Sequence, residues 1–164
     1  LTSSRAYTKQ FEEQMAQLAP SQRASLRSYC WYDVDYISER IISGIITQTN
    51  TWDAQYQSFT FNFDLASNTE ISMESLFKVD TGYKEAIRAY ILNELKTRPY
   101  YEDEDYVAWI QTVEFPYFTI RRNGLTFRSI FNSTYNEQQV TIPFEWLKPY
   151  LKENSVLSDL MKEE

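Results

Sequence analysis

The stretch "SFTFNFDLASNTEISMESLFK", residues 58–78, constrains the fold more tightly than any other part of the chain. Phe59, Phe61, Phe63 and Leu65 take every second position, with Ser58, Thr60, Asn62 and Asp64 between them. In a strand, alternate side chains point to opposite faces, so this period of two predicts a β-strand with one apolar and one polar face. Burying a Phe contributes roughly 1.5–3 kcal/mol, and the phenylalanines are therefore read as core, with Asn62 and Asp64 on the solvent face. "ASNT" is expected to turn the chain, with Asp64 hydrogen-bonding into the turn. Ile71 and Met73 then return along the apolar side, and "ESLF" winds into a short helical turn.

The neighbouring segments extend the sheet. "YCWYDVDYIS" and "RIISGIITQTN" are rich in β-branched and aromatic residues, and the short "SER" between them predicts an antiparallel pair. "NTWDAQY" reads as a polar loop. "PYFTIRRNGLTFRSIF" predicts a second hairpin turning at Asn123-Gly124, with Phe118 and Ile120 matched by Leu125 and Phe127. "QQVTI" adds a strand. Arg121, Arg122 and Arg128 form a small basic spot, read as surface charge balance.

Helical periodicity marks the rest. "TSSRAYTKQFEEQMAQL" places Tyr7, Phe11, Met15 and Leu18 on one face. Pro20 interrupts, and "SQRASLRSY" follows as a second helical piece. "GYKEAIRAYILNELKT" is the longest helix, with Tyr83, Ile87, Ile91 and Leu95 as its apolar stripe, Asp80 or Thr81 at its start and Pro99 as its stop. "YYEDEDYVAWIQTV" reads as an acidic cap and a short helix. Its residues 102–105 lack the alternating ligand spacing and turn glycine of a calcium loop. "PFEWLKPYL" and "SVLSDLMK" close the chain as short helical pieces. Strands before and after a central helix, without strict alternation, predict an α+β fold: a largely antiparallel sheet with a central helix and an N-terminal helix packed on it. The 164 residues fit one domain, with residues 1–39 as N-terminal helix and first strand, 40–151 as core and 152–164 as a C-terminal helical tail.

Two absences narrow the chemistry. The chain has no histidine, which excludes His-based acid–base catalysis, Ser/Cys-His triads and His-ligated metals. Cys30 is the only cysteine, so no CxxC or zinc cluster can form, and between Tyr29 and Trp31 it is expected to be a small buried hydrophobe. No cofactor and no metal is expected. The net charge of -7 argues against nucleic acid or an anionic membrane surface and favours encounter with a cationic partner. "RIISGIITQ" is the best apolar run, and Gly44 and polar residues break it well short of a membrane span. Leu1 rather than Met opens the chain, so a secretion signal or anchor is expected upstream.

The order of these segments resembles the RsiV-like C-terminal domain, an extracytoplasmic domain of unknown function in bacterial envelope proteins. The matching pieces are Asn62 to Leu65 ("NFDL"), the Ser67-Asn68 turn, Met73 to Phe77, the Gly124 to Phe127 hairpin segment and Val140 to Leu147, within about residues 40 to 151. The resemblance implies a non-catalytic module. Related domains form the outer portion of anti-sigma factors that sense lysozyme by binding it, accompany polysaccharide deacetylase domains, or stand alone as envelope lipoproteins. Where that family often has a "GAH" loop before the "NFDL" strand, this chain has "TNTWDAQYQ", and its loop before the last strand is "NSTYNEQ".

Two functional classes follow. The first is an extracytoplasmic binding or sensing module, periplasmic, lipoprotein-anchored or secreted. Its partner would be a cationic protein such as a lysozyme-type muramidase, or a peptidoglycan glycan. Trp52 and Tyr56 flank Asp53 in the divergent loop, and Asp33 and Asp35 lie two apart on a strand; these five are the candidate ligand-binding residues. Trp31 is a further aromatic able to stack on a sugar, although with 16% aromatic residues most must be core. The second class is a His-independent glycan hydrolase pairing Asp33 or Asp35 with Asp53 or Asp64, which needs carboxylates about 5–9.5 Å apart.

Overall fold

The structure, a computed structural model, describes Lys9, Glu12, Glu13, Ala16, Gln17 and residues 27–50, 56–97, 117–129, 138–158 and 160–162. Two antiparallel sheets and a few helices make an α+β fold. The first sheet runs β1 (Ser28–Ile37), β2 (Ile41–Asn50), β3 (Tyr56–Asp64) and β4 (Thr69–Glu70), in that spatial order. Its "SER" connection forms as expected. Ser38 N–H donates to the Ile41 carbonyl at 2.8 Å, and Ser38 Oγ accepts from the Arg40 and Ile41 amides at 3.2 and 3.0 Å. After β3 the chain turns at residues 65–68, with Asn68 left-handed at φ 53. β1 begins at Ser28, one residue before the expected strand stretch, a residue that the sequence placed in a helical piece.

The second sheet is β5 (Phe118–Arg121), β6 (Gly124–Ser129) and β7 (Gln138–Pro143), again in spatial order. Phe118 faces Phe127 and Ile120 faces Leu125, all buried, as the alternation predicted. The hairpin turns one residue earlier than "NG" suggests: Arg122 and Asn123 make the turn and Gly124 already pairs with Arg121. Neither Asn123 nor Gly124 is left-handed. Gly124 is required by close packing instead, since a Cβ there would lie 3.1 Å from Pro143 Cα and collide with the Ile142 carbonyl.

Three helices complete the described fold. In α1 (Met73–Leu76) the Ser72 side chain caps the N-terminus, accepting from Ser75 N–H at 3.2 Å. In α2 (Tyr83–Leu95) the expected stripe is present: Ile87, Ile91 and Leu95 are buried, and Tyr83 stacks on Phe77 with ring centroids 4.5 Å apart. Gly82, at φ 65, is its N-cap; Asp80 and Thr81 belong to the preceding turn. A left-handed cap suits Gly because it has no Cβ to clash. α3 (Phe144–Leu147) starts after Pro143, and two 3-10 turns, Val156–Ser158 and Leu160–Lys162, follow. Tyr90 on α2 meets Trp146 on α3 edge-to-face at 4.9 Å. The core cluster joins the second sheet, all three helices, Leu151, Leu157 and Leu160 to Ile41 of the first sheet. Lys9, Glu12, Glu13 and Ala16 are helical and exposed. Tyr7, Phe11, Met15, Leu18, Pro99 and "YYEDEDYVAWIQTV" lie outside the described residues.

The faces of β3 are the reverse of the expectation. Asn62 is 4% exposed and Asp64 9%, whereas Phe59, Phe61 and Phe63 are half-buried on the opposite face and absent from the core cluster. The second sheet explains the reversal. The edge strand β5 lies against the first sheet, and a free strand edge carries backbone donors and acceptors that need partners when buried. Ser43 Oγ accepts from Ile120 N–H at 2.7 Å and donates to Asn62 Oδ1 at 2.7 Å, while Asn62 Nδ2 donates to the Phe118 carbonyl at 2.8 Å. The polar row of β3 is inside because β5 docks there edge-on.

Candidate functional site

Asp35 sits where the β1–β2 register slips: Val34 pairs with Gly44 and Tyr36 with Ser43, so Asp35 is the extra residue of a β-bulge. Its carboxylate is gripped by the second sheet. Oδ2 accepts from Thr119 Oγ1 at 2.6 Å and from Arg128 Nη2 at 2.7 Å, and Oδ1 accepts from Arg121 Nη2 at 3.0 Å. The Asp35 and Arg128 side chains are 13% and 9% exposed. Burial pushes the Asp35 carboxyl up, but the Thr119 hydroxyl and the Arg128 and Arg121 guanidiniums outweigh it and hold it below its ordinary value. Arg121 and Arg128 are thus parts of an interlayer clamp rather than surface charge balance; Arg122, in the hairpin turn, is exposed.

Asp64 is committed in a similar way. Burial raises its pKa, but the Ala66 N–H at 3.0 Å, the Ser67 side chain and Arg40, whose Nη2 lies 3.6 Å away, bring the net value below the ordinary one. The expected hydrogen bond into the turn is therefore present. Neither Asp35 nor Asp64 has the raised pKa of a general acid.

The candidate ligand-binding set divides. Asp33, opposite Ile45 on β1, is exposed, whereas Asp35 is withdrawn into the clamp. Trp52 and Asp53 lie outside the described residues. Tyr56 opens β3, and its backbone pairs with Thr49, whose other neighbour is Tyr29. The β2–β3 connection that carries Trp52 and Asp53 thus leaves the first sheet at the end where β1 begins.

That strand is the most exposed apolar element among the described residues. Of their seven exposed large hydrophobics, five are on β1: Tyr29 at 53%, Trp31 at 41%, Tyr32 at 72%, Val34 at 42% and Ile37 at 66%. Cys30 is exposed as well, contrary to the buried role expected of it. Sequence reasoning assigned such aromatics mainly to the core. The available signal was β1's unalternating composition, aromatic and apolar at odd and even positions alike. A separate cleft of about 190 Å³ between Arg122, Asn123, Phe144, Glu145 and Lys148 mixes exposed charges of both signs and converges on nothing.

No family model matches the chain, and no curated protein matches it. Solved structures do match. A crystal structure of a DUF3298 family member from Bacteroides fragilis superposes with a TM-score of 0.70, covering 98% of this chain and 72% of that one at 16% identity. The fold is that of the DUF3298 structures. A second, a DUF3298 family protein from Pseudomonas aeruginosa, gives a TM-score of 0.64 over 92% of this chain and 70% of that one, also at 16% identity. DUF3298 is a bacterial domain of unknown function, so the likeness carries architecture and leaves activity to the residues. Among the described residues no helix is long and apolar enough to cross a membrane.

Proposed function

We propose that this chain is an RsiV-like, non-enzymatic binding or sensing module of the bacterial envelope, working outside the cytoplasm, with a cationic protein as its partner. The observation that carries the reading is the concentration of exposed apolar side chains on β1. Tyr29 and Tyr32 supply the aromatic anchors typical of contact surfaces, and exposed Asp33 between them and Val34 supplies a charge. The net charge of -7 favours encounter with a basic partner. The order of the "NFDL", "ESLF", "GLTF" and "VTIPFEWL" segments, through its resemblance to the RsiV-like domain, supports the extracytoplasmic assignment.

The glycan-hydrolase alternative is weakened because two of its four carboxylates, Asp35 and Asp64, are already satisfied by structural partners and held ionised. Calorimetry against a basic lysozyme-type muramidase and against soluble peptidoglycan fragments tests the proposal. Heat with the protein, reduced at higher salt and lost in a Tyr29→Ser, Tyr32→Ser double variant, is expected. Heat with the glycan alone, no heat with either, or full binding by the double variant overturns it.

A further inference from the structure

The backbone of β1 has an orientation that goes beyond its side chains. Ser38 N–H bonds to the Ile41 carbonyl, which fixes the odd residues of β2 as those facing β1. Through the register, Tyr29, Trp31 and Asp33 bond inward to Thr49, Thr47 and Ile45. The N–H and C=O groups of Ser28, Cys30, Tyr32 and Val34 therefore point to the outer edge of the sheet, where no described strand pairs with them. Protein edge strands are commonly guarded by Lys, Pro, charges or bulges. Between Ser28 and Val34 there is no Lys, no Pro and no bulge, and Asp33 is the one charge.

We infer that β1 receives an extended, basic segment of a partner polypeptide as an added strand along Ser28–Val34. The inference rests on the reading of β1 as the contact surface and specifies how the contact is made. Backbone groups at the even positions supply the ladder, Tyr29, Tyr32 and Val34 pack on alternate partner residues, and Asp33 selects Lys or Arg across the pair. A second copy of this chain is disfavoured as occupant because each copy carries a net charge of -7 and would bring its own Asp33 to the edge.

The test uses a backbone variant that spares the anchors. Cys30→Pro removes one outward donor and no backbone bond to β2, a position where an edge strand tolerates proline, and gives up only the exposed 3.9 Å contact from Gln48 Nε2 to the Cys30 thiol; the double variant Tyr29→Ser, Tyr32→Ser removes the anchors. The probe is a fluorescein-labelled peptide of alternating lysine and valine, about seven residues long to match the open edge, with a glutamate–valine peptide as control. The parent is expected to bind the lysine peptide only, Cys30→Pro to bind it about tenfold more weakly or not at all, and a thermal melt to show Cys30→Pro still folded. Equal binding by the parent and Cys30→Pro, with loss only in the double variant, keeps the contact surface and overturns strand addition. No binding of the lysine peptide to the parent, or equal binding of both peptides, overturns it too. A dimer in size-exclusion chromatography that Cys30→Pro dissolves shows that a second copy takes the edge and overturns the choice of occupant.

Discussion

Asn62 occupies a position where one amide serves two elements, accepting from Ser43 with its oxygen and donating to the Phe118 carbonyl with its nitrogen. Leucine would fit the space and leave two buried groups unpaired. Asn62→Ala is expected to cost about 2–4 kcal/mol in urea unfolding, because both orphaned partners remain buried. Ser67→Ala in the exposed turn should cost well under that. Asp35 governs the acid limb. Its folded pKa lies below the ordinary carboxylate value, so its contribution is fully present above the unfolded pKa and lost as pH falls through the folded one. Melting temperature should therefore decline from about pH 4 downward. Asp35→Asn should lower stability at neutral pH by about 2–4 kcal/mol, since buried Arg128 loses its 2.7 Å ion pair with Asp35. The same variant should show a shallower decline in acid, and among the described carboxylates Asp64 contributes to what remains. An unchanged acid limb in Asp35→Asn would remove Asp35 from the account.

At the scale of elements, β2 and β3 are held together by a glycine. Gly44 lies under the Phe61 ring, so an added Cβ would sit 2.7 Å from Phe61 Cζ and collide with the Asp33 carbonyl. Gly44→Val is expected to destabilise by about 1–3 kcal/mol, read in thermal or urea melts, and to loosen the edge strand β1 in the process. Most of the elements were legible from the sequence. The strands around "FTFNF", "FTIR" and "LTF" declare themselves by period two, and the α2 stripe by its spacing of four. The faces were not legible. Alternation at Phe59–Leu65 says that the two sides differ, and hydrophobicity alone points the phenylalanines inward. The deciding fact is that β5, sixty residues away in rough terms, presents a strand edge that needs the hydroxyl of Ser43 and the amide of Asn62. Asp35 was misread for the same kind of reason: a bulge cannot be seen in "YDVDY", and its partners Thr119, Arg121 and Arg128 come from another sheet.

For the whole molecule, one face of the first sheet is tied to the second by buried polar bonds, and its β1 edge is left with aromatic side chains and backbone groups directed outward. The interlayer residues then answer for stability and the β1 residues for contact. Tyr29→Ser and Tyr32→Ser should each change the melting temperature little while weakening partner binding, the opposite of Asn62→Ala. Residue-resolved amide hydrogen exchange by NMR tests this division most directly, in the parent protein and without any ligand. An alternating pattern along β1 is expected, with Tyr29, Trp31 and Asp33 slow and Cys30, Tyr32 and Val34 fast, together with a slow Ile120 amide bonded to Ser43. Exchange at Cys30, Tyr32 and Val34 as slow as at their neighbours would mean that the edge is already occupied, and would contradict this division.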